Sequence, residues 1–166
     1  MICANAFVAL GANLPSRTGS PLETLRASLA ELSREFAIEK VSRFYTSPAW
    51  PDPQDPSFVN AVAGIRTGLA PQDLLALLHK TETAYGRTRS ACNAPRVLDL
   101  DIIDYDGRVE TGALALPHPR MHLRAFVLVP LADIAPAWIH PVLHKSLTGL
   151  IAELPPKETA SVVPLS

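Results

Sequence analysis

Pro95-Arg96-Val97-Leu98-Asp99-Leu100-Asp101-Ile102 is the stretch of this sequence with the most chemistry in it. Side chains alternate along a strand, so Asp99 and Asp101 share one face while Leu98, Leu100 and Ile102 point to the other. Two carboxylates one pleat apart repel, and taking them out of water is costly unless a cation compensates. Hard oxygen ligands suit Mg²⁺. Arg87, Arg89 and Arg96 lie close before Asp99, and Arg120 and Arg124 follow. Arginines beside metal-binding carboxylates suit a polyphosphate, because guanidinium forks can hold the oxygens that a metal does not. Taken alone, an Asp-x-Asp strand is more often a solvated face, and exposed arginines form salt bridges worth little. The concentration of both around one segment, in a chain of net charge −1, favours the chemical reading. Neither G-x-x-x-x-G-K-[ST] nor G-x-G-x-x-G occurs, so a nucleotide would be held by another architecture.

Other candidates are weaker. His118 and His122 are four apart, as are His140 and His144, but Pro119 and Pro141 interrupt both windows and argue against zinc on a helix. Phe58 and Asn60 stand two apart after a proline-rich stretch, where an aromatic and an amide could stack on and hydrogen-bond a flat heterocycle. From these two residues alone, a core Phe and a turn-forming Asn is the plainer reading. Cys3 and Cys92 fit no zinc spacing or disulfide framework and read as reduced thiols of a cytoplasmic protein.

The elements that must position these residues follow from pattern. Residues 7–10 read as a buried strand running into Gly11-Ala12-Asn13-Leu14. Ser20-Pro21-Leu22-Glu23 is a capping box with proline at the first helical position, and Leu22, Leu25, Leu29, Leu32 and Phe36 continue as one apolar stripe. A second strand is expected over 38–46. Four prolines in 47–57 enforce a long stiff loop, and 58–67 is strand-like. Pro71 opens a helix that Gly86 would cap, residues 87–94 read as a loop, and 97–105 as a strand with a hairpin signal at Asp106-Gly107. A short strand at 114–116, a helix over 124–132 interrupted or ended near Pro130, and a last helix over 146–153 precede a poorly ordered tail at 154–166. The order β-α-β-β-α-β suits an α+β sandwich, with helices on one face of an antiparallel sheet.

The chain has 166 residues, 48% apolar and 19% charged, which excludes a wholly disordered protein and favours one domain over 1–166. Near-zero net charge argues against nucleic acid or an anionic membrane as partner. The apolar 7–10 stretch precedes the first basic residue, Arg17, which is the wrong order for a signal peptide, and no later apolar run is long enough to cross a bilayer.

Gly11-x-Asn13-Leu14, Phe58-x-Asn60, Glu82-x-x-x-Gly86-Arg87-x-Arg89, Pro95-Arg96-x-Leu98-Asp99-Leu100-Asp101-Ile102, Leu116-Pro117-His118-Pro119-Arg120 and Arg124-Ala125-Phe126-Val127-Leu128 occur in that order, followed by Pro130-Leu131-x-Asp133-Ile134-Ala135-Pro136. With these motifs the chain resembles the 6-hydroxymethyl-7,8-dihydropterin pyrophosphokinases of the folate pathway over roughly residues 5–141. The resemblance implies a ferredoxin-like α+β fold and transfer of pyrophosphate from ATP to the pterin, giving AMP. It further implies two Mg²⁺ ions on Asp99 and Asp101, and Arg87 and Arg96 on the ATP phosphates. Glu82, His118 and Arg124 would line the nucleotide site. Asn60 would read the amide edge of the pterin, Phe58 and Phe126 would sandwich its ring, and Thr46 with the loop after it would close the pocket. Many relatives carry Arg-Trp-Gly-Pro-Arg where this chain has Cys92-Asn93-Ala94-Pro95-Arg96, so the tryptophan that covers the pterin is replaced, and Trp50 is the aromatic of the other loop. A cytoplasmic monomer acting on small molecules is expected. The rival readings are a metal-dependent phosphohydrolase, a ferredoxin-like RNA binder without the aromatic signature such binders carry, and a purely structural domain.

Overall fold

A computed structural model describes residues 3–50, 52–87 and 95–166. The loop expected over 87–94 lies outside the described residues except for Arg87, as does Cys92.

An inner strand of the sheet, β1 (Ala4–Ala12), alternates between buried and less buried positions. It pairs antiparallel with β4 (Phe58–Thr67) on one side and with β5 (Asp99–Tyr105) on the other. Beyond β4, β2 (Ala37–Val41) and β3 (Tyr45–Ser47) pair with successive stretches of that long strand. The strand expected over 38–46 is thus two strands. The break has a local cause: Ser42 Oγ accepts the Val62 N–H at 2.9 Å, and Arg43 turns out to bond Asp133. The Asp106-Gly107 turn forms, with φ of 55° and 67° and the Arg108 N–H donating to Tyr105 O at 2.9 Å. It closes no hairpin, since only a single bridge, Glu110 to Leu116, follows, and 114–116 is not a strand.

Helix α1 (Pro21–Leu32) starts at the expected capping box, Ser20 with Glu23, and α2 (Pro71–Ala84) starts at Pro71. Both pack on the face made by Val8, Leu10, Ala63, Ile65, Leu100 and Ile102. The expectation of helices on one face is overturned. Phe7, Ala9, Val62 and Ile103 make the opposite face apolar too, and it is covered by α3 (Ala125–Ile134) and α4 (Leu147–Glu153). A sheet apolar on both faces needs two helical layers. Pro130 neither ends nor breaks α3, which runs on to Ile134.

The poorly ordered tail is also corrected. Residues 154–166 form α5 (Pro156–Ala160) and β6 (Val163–Pro164), with Leu154 and Val162 buried in the second core. β6 pairs with β3, covering backbone groups that would otherwise form an open sheet edge.

Candidate active site

The register of three strands builds the site. Gly11 of β1 faces Asn60 of β4 on one side and Asp99 of β5 on the other. One rung further along β1, Ala9 faces Val62 and Asp101. Residues opposite each other in antiparallel strands share a face, so Asn60, Gly11 and Asp99 form one continuous row. Two strand spacings of ~4.8 Å put the Asn60 and Asp99 backbones ~10 Å apart, with no side chain between them. A Cβ built on Gly11 would lie 3.4 Å from Asn60 Oδ1 and 3.8 Å from the Phe58 ring, so glycine leaves the floor open there.

At the acidic end, Asp99 Oδ1 takes the Arg96 Nη1 at 2.6 Å and the Arg87 Nη1 at 3.2 Å. Arg87 also pairs with Glu82, at the last turn of α2. Glu82 is 1% exposed and accepts the Leu100 N–H at 2.7 Å, which ties α2 to the strand between the two aspartates. Burial pushes Glu82 up to about 7, against the pull of that hydrogen bond and of Arg87. Asp101 is raised as well, chiefly by burial and then by the charge of Asp99 beside it. A raised carboxylate next to another is a site short of positive charge.

The loop after β5 supplies what faces Asp101. A bulge at Ile102–Ile103 offsets the register with β1, and Ile103 O accepts the His118 N–H at 2.9 Å. His118 Nε2 then lies 3.9 Å from Asp101 Oδ2, while its Nδ1 accepts from the Arg120 N–H, which leaves the ring proton on the Asp101 side. Burial holds His118 below its ordinary value. Arg124 Nη1 is 4.0 Å from the same Asp101 oxygen. It stands at the N-cap of α3, where the first N–H groups lack a side-chain cap, and both features favour an anion nearby. Its guanidinium lies over Phe126, a half-exposed ring in the first turn of α3.

The donor set fits a hard divalent cation. Asp99 and Asp101 project from alternate positions of one strand, and among the described residues no cluster of three or more His, Cys, Asp or Glu completes a protein-only cage. A two-carboxylate site leaves positions for water and phosphate oxygens, the arrangement Mg²⁺ favours.

At the other end, Asn60 donates from Nδ2 to Ser47 Oγ at 2.8 Å. Its second N–H and its Oδ1 remain as a mixed donor–acceptor pair for a heterocycle edge. Phe58 lies beside it, opposite Ser47. Thr46 does not join them. It pairs with Val59, so its side chain is on the other face of the sheet, and Ser47 is the β3 residue that reaches Asn60. Trp50 is 71% exposed. Sequence reasoning missed Ser47 and the role of Gly11. The one available signal was strand parity, which the false continuation of β2 into β3 obscured.

Eight of the expected residues thus gather at the acidic and arginine end or at α3, namely Glu82, Arg87, Arg96, Asp99, Asp101, His118, Arg124 and Phe126. Phe58 and Asn60 lie across Gly11 from them, and Thr46 stands apart.

The sequence model described as 7,8-dihydro-6-hydroxymethylpterin-pyrophosphokinase matches residues 7–136. A 2-amino-4-hydroxy-6-hydroxymethyldihydropteridine pyrophosphokinase of Synechocystis is 40% identical over 92% of this chain and 77% of its own length. One of Pseudomonas aeruginosa is 42% identical over 78% of this chain and 80% of its own. The solved structure of Plasmodium falciparum HPPK-DHPS superposes with a TM-score of 0.72 at 13% identity, which speaks to the fold alone. It covers 92% of this chain, and the chain spans only 41% of that longer protein.

Proposed function

Because the chain belongs to the 7,8-dihydro-6-hydroxymethylpterin-pyrophosphokinase family, we propose that the row Asn60–Gly11–Asp99 is where a pterin and ATP meet. The enzyme transfers the β,γ-pyrophosphoryl group of ATP to the hydroxymethyl oxygen of 6-hydroxymethyl-7,8-dihydropterin, releasing AMP and the pterin diphosphate for folate biosynthesis.

Asn60 and Phe58 hold the pterin ring at one end of the row, with Phe126 on its other face. The open floor at Gly11 lets the hydroxymethyl arm extend toward the β-phosphorus. Asp99 and Asp101 would hold Mg²⁺, two ions in our reading, which would supply charge neutralisation to the phosphate oxygens. Arg87 and Arg96 share one oxygen of Asp99. Arg96, and Arg87 from its pairing with Glu82, would steady the charge that shifts on the phosphates during transfer. Glu82, His118 and Arg124 line the nucleotide side. Burial favours the neutral form of His118, which offers its ring N–H without adding charge. Such a reaction is mainly positioning and electrostatics, and needs no dedicated base among these residues.

The single observation that carries the reading is the row itself, the Asn60 amide and the Asp99 carboxylate held one bare strand apart. In the same reading, residues 1–166 make one pyrophosphokinase domain, a ferredoxin-like βαββαβ core extended at its C-terminal end. It works as a cytoplasmic monomer on small molecules, with neither nucleic acid nor membrane as partner. Among the described residues no helix is long and apolar enough to cross a membrane.

The test is to incubate the protein with ATP, Mg²⁺ and the reduced pterin. AMP should appear only when pterin is present. ATP hydrolysis independent of pterin would favour a phosphohydrolase built on the same aspartates.

A further inference from the structure

Asn13 belongs to the Gly11-x-Asn13-Leu14 turn. Asn13 is 3% exposed and follows directly on β1. The two ends of its side chain go to different segments. Oδ1 accepts the Arg96 N–H at 2.7 Å, and Nδ2 donates to Pro56 O at 3.0 Å. Its own backbone N–H donates to Arg96 O at 3.0 Å. Both backbone polar groups of Arg96 therefore bond to Asn13, and its carbonyl also takes the Leu14 N–H at 3.2 Å. The same amide holds the chain two residues before Phe58.

This placement does more than satisfy buried backbone groups. The Arg96 guanidinium starts from that clamped backbone and reaches Asp99 Oδ1 at 2.6 Å. Pro56 leads directly into the strand that carries Phe58 and Asn60. A planar amide bonded at both ends fixes the two segments relative to each other, because hydrogen bonds weaken steeply once distance or angle departs from the optimum. Among short side chains only asparagine presents an acceptor and a donor on separate atoms of one planar group. Aspartate keeps the acceptor but has no proton for Pro56 O, and serine is too short to span both.

We propose that Asn13 is a positioning residue for pyrophosphoryl transfer, setting the Arg96 guanidinium against the Asn60–Gly11–Asp99 row and tying that setting to the segment entering the pterin site. The inference rests on the reading of Arg96 as a phosphate-binding residue. It predicts that Asn13 acts through Arg96. A group held in the wrong place by about an ångström loses on the order of 10²-fold in rate, so the cost of losing Asn13 should fall on kcat.

The experiment is a double-mutant cycle on kcat, with AMP release measured at saturating ATP, Mg²⁺ and reduced pterin. The four proteins are the wild type, Asn13→Ala, Arg96→Ala and the double variant. Asn13→Ala is expected to lose roughly 10–100-fold in kcat with a change under about 3-fold in KM for ATP. In the Arg96→Ala background the same substitution should cost less than about 3-fold, since the residue it positions is gone. Should Asn13→Ala fail to fold, Asn13→Ser takes its place in the cycle with the same expectation. Equal fold-losses in both backgrounds would overturn the inference and make Asn13 a purely structural residue. An Arg96→Ala variant with wild-type kcat would instead overturn the reading of Arg96, and the single variant shows this before the cycle is closed.

Discussion

Glu82→Gln should change how the stability of this fold depends on pH. Glu82 is buried beneath the start of β5, and burial pushes it up to about 7 from an ordinary value near 4.5. Between those two pH values the folded chain binds a proton there that the unfolded chain has lost. The slope of stability with pH is set by the protons bound in the unfolded state minus those bound in the native state, so this contribution falls as pH rises. It is complete below about 4.5 and is lost as pH passes through about 7. Each pH unit between the two values is worth ~1.4 kcal/mol, so ionising Glu82 inside the fold costs about 3 kcal/mol. Glutamine keeps the acceptor for the Leu100 N–H and cannot ionise. The stability of Glu82→Gln relative to wild type should therefore rise by up to about 3 kcal/mol between pH 4.5 and pH 8. Urea unfolding at several pH values reads this directly. With ~1–3 kcal/mol per molar urea for a small protein, the gap between the two midpoints should move by ~1–3 M. Midpoints that stay parallel across that range would refute the argument, and would mean that the Arg87 ion pair, not burial, governs Glu82.

Asp99→Ala or Asp101→Ala should lower turnover by on the order of 10²–10³ or more while leaving the fold intact, because neither side chain belongs to the core; near-normal activity at saturating Mg²⁺ would remove the metal assignment. Asn60→Ala should weaken binding of a pterin analogue by roughly one to two decades, the cost of an unpaired heterocycle edge, and leave ATP binding unchanged in separate calorimetric titrations. Gly11→Val should place methyl groups where the hydroxymethyl arm extends; its KM for the pterin should rise at least 10-fold with little change for ATP, and equal changes for both substrates would place the arm elsewhere. Asp133→Ala should cost ~1–3 kcal/mol in urea unfolding, since Asp133 accepts the hydroxyl of buried Tyr45 at 2.8 Å and three groups of Arg43, and without it the tyrosine is left unpaired.

The elements that depend on neighbours in sequence were legible in sequence. The Ser20/Glu23 capping box and the alternation that puts Asp99 and Asp101 on one face are both set within a few residues, and each forms as the pattern indicates. The motif residues that mark the family are likewise readable one segment at a time. What depends on distant partners was not. The tail looked disordered because its residues lack a strong period, and it becomes α5 and β6 because β3 offers an uncovered edge. The second helical layer exists because Phe7, Ala9, Val62 and Ile103, from three different strands, make one apolar face. Thr46 was expected where Ser47 is found, because parity along β3 is set by its pairing with β4 and not by its own residues. The opposition of Asn60 to Asp99 across Gly11 rests on residues about forty apart in sequence, and only the hydrogen-bond register of three strands brings them into one row. Sequence supplied the groups that could do the chemistry, and tertiary pairing decided which of them face each other, because register is a property of two chains of atoms and no single segment contains it.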